Sequence, residues 1–275
     1  MAEGKYFGVD APEEIERDRL EQLEQICDPV TTSRLMRFGV GPGWRCLEVG
    51  AGRGSVARWL ADRVGPEGHV IAADLDTRLL KDVGGKNLEV REHDILERSF
   101  EPNTFDLVHA RALLMNLPEP KRALERMAEA VKPGGYLCIE EVDWSTLSAV
   151  DPGHPSASEF HRLSHAGFGA VRAAGVSDGY FGRRLLGLVE GLGFDQTGGD
   201  GVVQIGKGGD HPAGRHQQLA LKLPVTKLLV TKGIMTNKEF ESLSDLYKDP
   251  DFAFVGFILF GAWAQKPLPR SRPLR

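Results

Sequence analysis

The chain has 275 residues, 41% hydrophobic and 27% charged, with 34 Lys and Arg against 39 Asp and Glu. That length can bury one large core, and a formal charge of -5 without a dense basic run argues against a nucleic-acid partner. No apolar run nears the ~18 residues of a membrane span and no signal-peptide layout opens the chain, so a cytoplasmic protein with no membrane partner is expected.

Cys27, Cys46 and Cys138 show neither C-x-x-C spacing nor a disulfide framework and read as small core residues in a reducing compartment. Residues 1–43 read as a helical cap. An acidic helix over 11–27 carries apolar Ile15, Leu20, Leu23 and Ile26, and a second short helix covers 31–38. After the linker 39–43, Trp44 to Val49 is apolar enough for a buried strand, while 55–64 puts Val56, Leu60 and Val64 on one helical face.

Between them lies Glu48-Val49-Gly50-Ala51-Gly52-Arg53-Gly54, a strand that turns on three glycines into a helix. Such glycines permit a sharp turn and a close backbone approach to a ligand that a Cβ would block. The helix then aims its free N–H groups and positive dipole end at the same place. The turn suits a nucleoside-containing cofactor. A dinucleotide fingerprint requires G-x-G-x-x-G or G-x-G-x-x-A; here Gly54 comes one position early and Ser55 stands last.

A second strand, 69–74, ends on Asp74, placed to accept from both hydroxyls of a ribose, while Asp76 reads as the N-cap of the following turn. A third strand from Leu88 leads to Asp94-Ile95, where Asp94 is either a ligand contact or a turn cap. Phe105 to Arg111 is a fourth strand and its exit, at the cleft edge. A helix over 121–131 places Leu124, Met127 and Val131 inward, with Pro120 suited to its first position. Lys132-Pro133-Gly134-Gly135 stops it, and 136–142 forms a fifth strand.

Taken in order, E-x-G-x-G-x-G at 48–54, Asp74, Asp94-Ile95, Phe105-Asp106-Leu107-Val108 and Lys132-Pro133-Gly134-Gly135 resemble the class I S-adenosylmethionine (SAM)-dependent methyltransferases. The resemblance covers about residues 44–143. Within that superfamily the chain most resembles the small-molecule enzymes related to ubiquinone and menaquinone biosynthesis methyltransferases. This implies an α/β fold, a doubly wound, mostly parallel, Rossmann-like sheet of seven strands with helical cap and lid insertions. It implies SAM as cofactor and S-adenosylhomocysteine (SAH) as product. Glu48, Gly50, Ala51, Gly52 and Gly54 would form the cofactor turn, and Asp74 with Leu75 would take the ribose. Asp94 would accept from the adenine amino group beside Ile95, and His109, Ala110 and Arg111 would line the cleft. In relatives the N-terminal region caps the cofactor, which puts Tyr6 and Arg34 at SAM or substrate; alternatively the helix only packs on the sheet edge.

The remaining segments carry the substrate question. Residues 144–178 read as a lid insertion with a helix over 158–174, and 179–207 return to the core with a sixth strand over 194–207, interrupted at Gly198-Gly199-Asp200-Gly201. A second helical insertion, 208–250, holds helices over 214–232 and 238–247, before a last strand within 251–265 and a tail at 266–275. Leu219, Leu223, Leu228 and Leu229 fit either the roof of an apolar pocket or a homodimer surface. His161 and His165 share one helical face, yet no ligand set accompanies them, so no metal is expected.

A hydroxyl or carbon nucleophile needs a base within reach. Candidates are His161 and His165 on the lid, and Glu141 and Asp143, which share one strand face at the crevice end of the sheet; the acids also fit a structural ion pair. The expected reaction is in-line methyl transfer to a small, partly apolar metabolite such as a quinone, polyketide or other secondary product. The acceptor atom (O, N or C) stays open. Alternatives are a SAM-binding regulator or cyclisation catalyst and, disfavoured by the acidic balance and lids, a protein or RNA methyltransferase.

Overall fold

The computed structural model describes residues 11–269, so Tyr6 lies outside the described residues. The N-terminal region forms one helix, α1 (Glu13–Met36), where two are expected from the sequence. Pro29 lies inside it without an N–H to give. The helix runs on because its next turn is tied to the sheet: Thr31 donates to Glu140, and Arg34 pairs with Glu140 and Asp200.

There follow β1 (Arg45–Val49), α2 (Ser55–Val64), β2 (His69–Asp74), β3 (Leu88–Glu92), β4 (Phe105–Arg111), α3 (Pro120–Ala130) and β5 (Val131–Asp143). The second half holds β6 (Ser148–Ala149), α4 (Ala157–Ala173), α5 (Leu185–Glu190), β7 (Asp195–Lys207), α6 (Pro212–Ala220), α7 (Lys227–Thr231), α8 (Asn237–Lys248) and β8 (Ala253–Gln265). The sheet has eight strands in the order β3-β2-β1-β4-β5-β8-β6, with β7 also paired to β8. β1 to β5 run parallel, and β8 is antiparallel to its three partners. The strand beyond the seven expected is the two-residue β6, where Ser148 and Ala149 pair with Val255 and Phe254.

Strand alternation separates two core layers. Leu47, Val49, Ile71, Val108, Leu137 and Ile139 meet α3 and α5 on one face. Cys46, Val70, Ala72, Leu107 and Cys138 meet α2 on the other. A third cluster builds the roof from Phe160 and Leu163 of α4, Leu243 and Tyr247 of α8, and Phe254 and Phe257 of β8. All three cysteines are buried and free. No helix among the described residues is long and apolar enough to cross a membrane.

The glycine run in β7 does not interrupt the strand. A Cβ on Gly198 would lie 2.7 Å from the Trp263 ring, and one on Gly201 2.9 Å from Ile258. These glycines let β7 press against β8 instead. Lys132-Pro133-Gly134-Gly135 likewise lies within β5, and a Cβ on Gly135 would meet the carbonyls of Asp106 and Phe105 at 2.9 Å.

Chain order reverses on either side of β1, between β2 and β4. The crevice beyond the carboxyl ends of these strands is where such folds bind ligands.

Candidate functional site

The glycine turn leaves β1 at Val49 with Gly50, Gly52 and Gly54 all left-handed, at φ 75°, 57° and 78°. The N–H groups of Gly50 and Ala51 donate to the Ala73 carbonyl (2.8 and 3.1 Å), which staples the turn to β2. Asp74 holds it from the other side. Its Oδ2 accepts from the Gly52 N–H (2.8 Å) and its Oδ1 from the Asp76 N–H (3.0 Å). Burial raises the Asp74 pKa, partly offset by these backbone donors. Each oxygen keeps a further lone pair for a ligand hydroxyl.

A cavity of about 310 Å3 opens here, bordered by Glu48, Gly50 to Arg53, Asp74 to Asp76 and His93 to Ile95. Glu48, Gly50, Ala51, Gly52, Asp74, Leu75, Asp94, Ile95 and Arg111 all border it, as the sequence leads one to expect. Asp94 also accepts the Leu96 N–H (2.8 Å), so it caps its turn while facing the cavity. Asp76 caps the next turn by accepting from the Arg78 N–H (3.1 Å). Arg111 is held by Thr31 Oγ1 and Asp28 Oδ1, both at 2.8 Å, which fixes its guanidinium beneath α1.

The same cavity continues past the carboxyl ends of β4 and β5 into an apolar region; Leu223, which the sequence offered as pocket roof or dimer surface, borders it, whereas Trp144, Phe168 and His216 were missed. Trp144, the first residue after β5, stacks on Phe168 of α4 with ring centres 4.9 Å apart and planes 16° off parallel. His216 of α6 lies roughly parallel on the Trp144 ring, at 6.4 Å and 15°. Arg19 of α1 reaches it, with Nη1 3.2 Å from the His216 Nε2. Glu16 holds the same guanidinium through two contacts, at 2.8 and 2.7 Å. Burial, followed by the Arg19 charge, depresses the His216 pKa to about 3, so the imidazole is neutral. The missed signal was positional: Trp144 directly follows a central strand, at the crevice end of the sheet.

Several expected site residues lie elsewhere. Gly54 does not border the cavity; a Cβ there would come within 2.9 Å of Val83 and 3.1 Å of Leu80, so its role is packing. His109 is fully buried below the turn, its Nδ1 2.6 Å from Glu48 Oε2, and Ala110 is buried in the opposite core layer. Arg34 is 1% exposed and committed to Glu140 and Asp200, so it is a structural tie rather than a ligand contact.

The candidate bases fare no better. His161 and His165 do share a face, with rings 4.2 Å apart. That face meets the Leu147 carbonyl at 3.3 and 3.2 Å, away from the cavity. Asp143 accepts two contacts from Arg183 (2.6 and 3.0 Å), which hold its carboxyl below its usual range. Glu141 sits behind the loop after β4, accepting the Leu113 and Leu114 N–H groups at 3.1 and 2.6 Å. Burial pushes its carboxyl up to about 8. No group of three His, Cys, Asp or Glu among the described residues is arranged to hold a metal.

Residues 47–139 match the family described as "Methyltransferase domain". The chain is 30% identical over 134 residues to "Methyltransferase str2" of Strobilurus tenacellus, covering 48% of each. It is 34% identical over 112 residues to the "Ubiquinone/menaquinone biosynthesis C-methyltransferase UbiE" of Idiomarina loihiensis, covering 38% of this chain and 44% of that one. The chain thus spans about half the length of the curated relatives it matches. Among solved structures, its fold is similar to a phosphoethanolamine N-methyltransferase 2 of Haemonchus contortus in complex with phosphomonomethylethanolamine and S-adenosylhomocysteine. There the TM-score is 0.53 and the identity 18%, over 85% of this chain and 51% of that chain. Residues 47–139 are therefore similar to a methyltransferase domain.

Proposed function

We propose that the protein transfers a methyl group from SAM to a small, partly apolar molecule bound in the same cavity. One observation carries this reading. A single space joins the Asp74-braced glycine turn to an apolar end walled by Trp144 and Phe168. The residues present suit the cofactor: left-handed Gly50 and Gly52 leave room for its backbone approach, and Asp74 keeps lone pairs for ribose hydroxyls. Asp94 and Ile95, which border the cavity, would take the adenine amino group and ring. When bound, the sulfonium supplies an already activated methyl.

The chain's own task is then alignment and exclusion of water, a proximity effect that can contribute ~7–11 kcal/mol. The apolar end supplies both, since Trp144, Phe168 and the residues of α6 close over it. Asp143 is ion-paired and the lid histidines face away, so they do not serve as the base. A small acceptor is supported by the residues of α4 and α6 that border the cavity, Phe168, Val171, His216, Gln217 and Ala220.

The test is calorimetric titration with SAH, then incubation with methyl-labelled SAM and a panel of small phenols, quinols and amines. Tight SAH binding with labelled product is the expected result. Binding of NADH with indifference to SAH would overturn the cofactor assignment, and binding of SAH with no product from any acceptor would overturn the transfer.

A further inference from the structure

We propose that Glu24 of α1 binds the α-ammonium group of the SAM amino-acid tail, so that the cap helix and the glycine turn together select the cofactor. This rests on the methyl-transfer reading and names a side chain that would hold one end of its cofactor. Arg19, Leu20, Leu23 and Glu24 are the residues of α1 that border the cavity. Leu20 marks where the helix meets the turn: a Cβ on Gly52 would lie 3.7 Å from its Cδ1. Glu24 comes one helical turn later on the same face. Its side chain stays 15% exposed, with the cavity beside it.

The Glu24 carboxylate still lacks a donor, unlike the acids around it. Asp28 Oδ1 accepts from Arg111 (2.8 Å) and from Ser55 (3.1 Å), and Asp74 accepts from the N–H groups of Gly52 and Asp76. Glu24 accepts a hydrogen bond from none of the described residues. Arg53 Nη1 lies 3.4 Å from it and equally far from Glu21, and makes a hydrogen bond to neither. Burial raises the Glu24 pKa, with the Arg53 charge acting the other way. A cationic group on the ligand would supply what is missing. An ammonium carries three N–H donors, and hydrogen bonds between charged partners are about twice as strong as neutral ones.

The tail of SAM ends in an ammonium beside a carboxylate. With the ribose on Asp74, at the β2 side of the turn, that tail is left to the side that α1 covers. Arg53 and Arg111 border the same end of the cavity, which offsets the repulsion between Glu24 and the tail carboxylate. A nicotinamide dinucleotide would instead set its pyrophosphate anions against Glu24, and like charges oppose that. Glu24 thus discriminates between cofactors by charge.

The experiment is calorimetric titration of the full chain with three ligands: SAH, SAH lacking only its α-amino group, and 5′-methylthioadenosine, which lacks the amino-acid end altogether. Wild type should bind the deaminated compound about tenfold more weakly than SAH, or worse, as expected for losing a hydrogen bond to a charged group. E24Q should lose about tenfold in SAH affinity while its affinity for 5′-methylthioadenosine changes by less than about twofold. Equal wild-type affinity for SAH and the deaminated compound, undiminished SAH binding by E24Q, or a loss in E24Q that 5′-methylthioadenosine shares would each overturn the proposal and leave the cofactor reading standing. The wild-type comparison decides even if E24Q does not fold. A wild-type chain that takes neither SAH nor 5′-methylthioadenosine would overturn the cofactor reading, and the proposal with it.

Discussion

Nδ1 of His109 lies 2.6 Å from Oε2 of Glu48, with both side chains buried on one face of the adjacent strands β1 and β4. Glu140 Oε2 lies 3.5 Å from the other ring nitrogen. One imidazole thus stands between two buried carboxylates directly under the glycine turn. His109→Ala should cost about 1–3 kcal/mol of stability, because it leaves the buried Glu48 Oε2 without its hydrogen-bond partner. Urea unfolding followed by circular dichroism measures this, and a loss below about 1 kcal/mol would show that the histidine is not what holds Glu48 in place.

Asp74 both braces the turn and faces the cavity. Asp74→Ala should weaken SAH binding by about 1.5–3 kcal/mol, the range for hydrogen bonds to a charged group. Calorimetry reads that directly. Unchanged affinity with an unchanged melting temperature would remove the ribose assignment.

The last two glycines of the turn separate stability from binding. Gly54 is left-handed at φ 78° and packed, its missing Cβ 2.9 Å from Val83. Gly52 is left-handed too, but a Cβ there meets only Leu20, at 3.7 Å. An L-residue in this conformation costs roughly 1–2 kcal/mol. Gly54→Ala should therefore destabilise by more than that, through the added clash, whereas Gly52→Ala should stay near it and chiefly impair SAH binding. Thermal melts paired with SAH titration of both variants check the contrast.

The glycine-turn end of the cavity was legible because its parts are local in sequence. The turn over 48–54 and the acids ending β2 and following β3 each combine a strand signal with residues at its tip. His109 and Ala110 were misplaced for a different reason. Both lie on a strand that does end at the cavity, but alternation sends one side chain under the turn and the other into the opposite layer. Arg34 was misread because its partner Asp200 comes from β7, 166 positions away. The Arg19–His216 contact at the apolar end was invisible for the same reason: the two residues are 197 positions apart, and neither carries a motif. Only the packing of α1 against α6 brings them together.

Glu141 makes stability depend on pH in a direction that can be worked out. Its folded pKa is raised to about 8 from an ordinary value of 4.5 by burial behind the loop after β4. Between those two values the folded chain keeps a proton that the unfolded chain has released. Stability from this group is therefore complete below about pH 4.5 and is lost as pH rises through 8. His216 acts in the opposite sense, since its depressed pKa adds stability as pH rises from about 3 towards the normal histidine range. The interval from about pH 6.5 to 8 isolates the carboxyl. Across it, wild-type stability should fall by about 1–2 kcal/mol relative to Glu141→Gln. Denaturant unfolding of both proteins at the two ends of that interval measures the difference; parallel pH profiles would show that Glu141 is ionised in the folded chain.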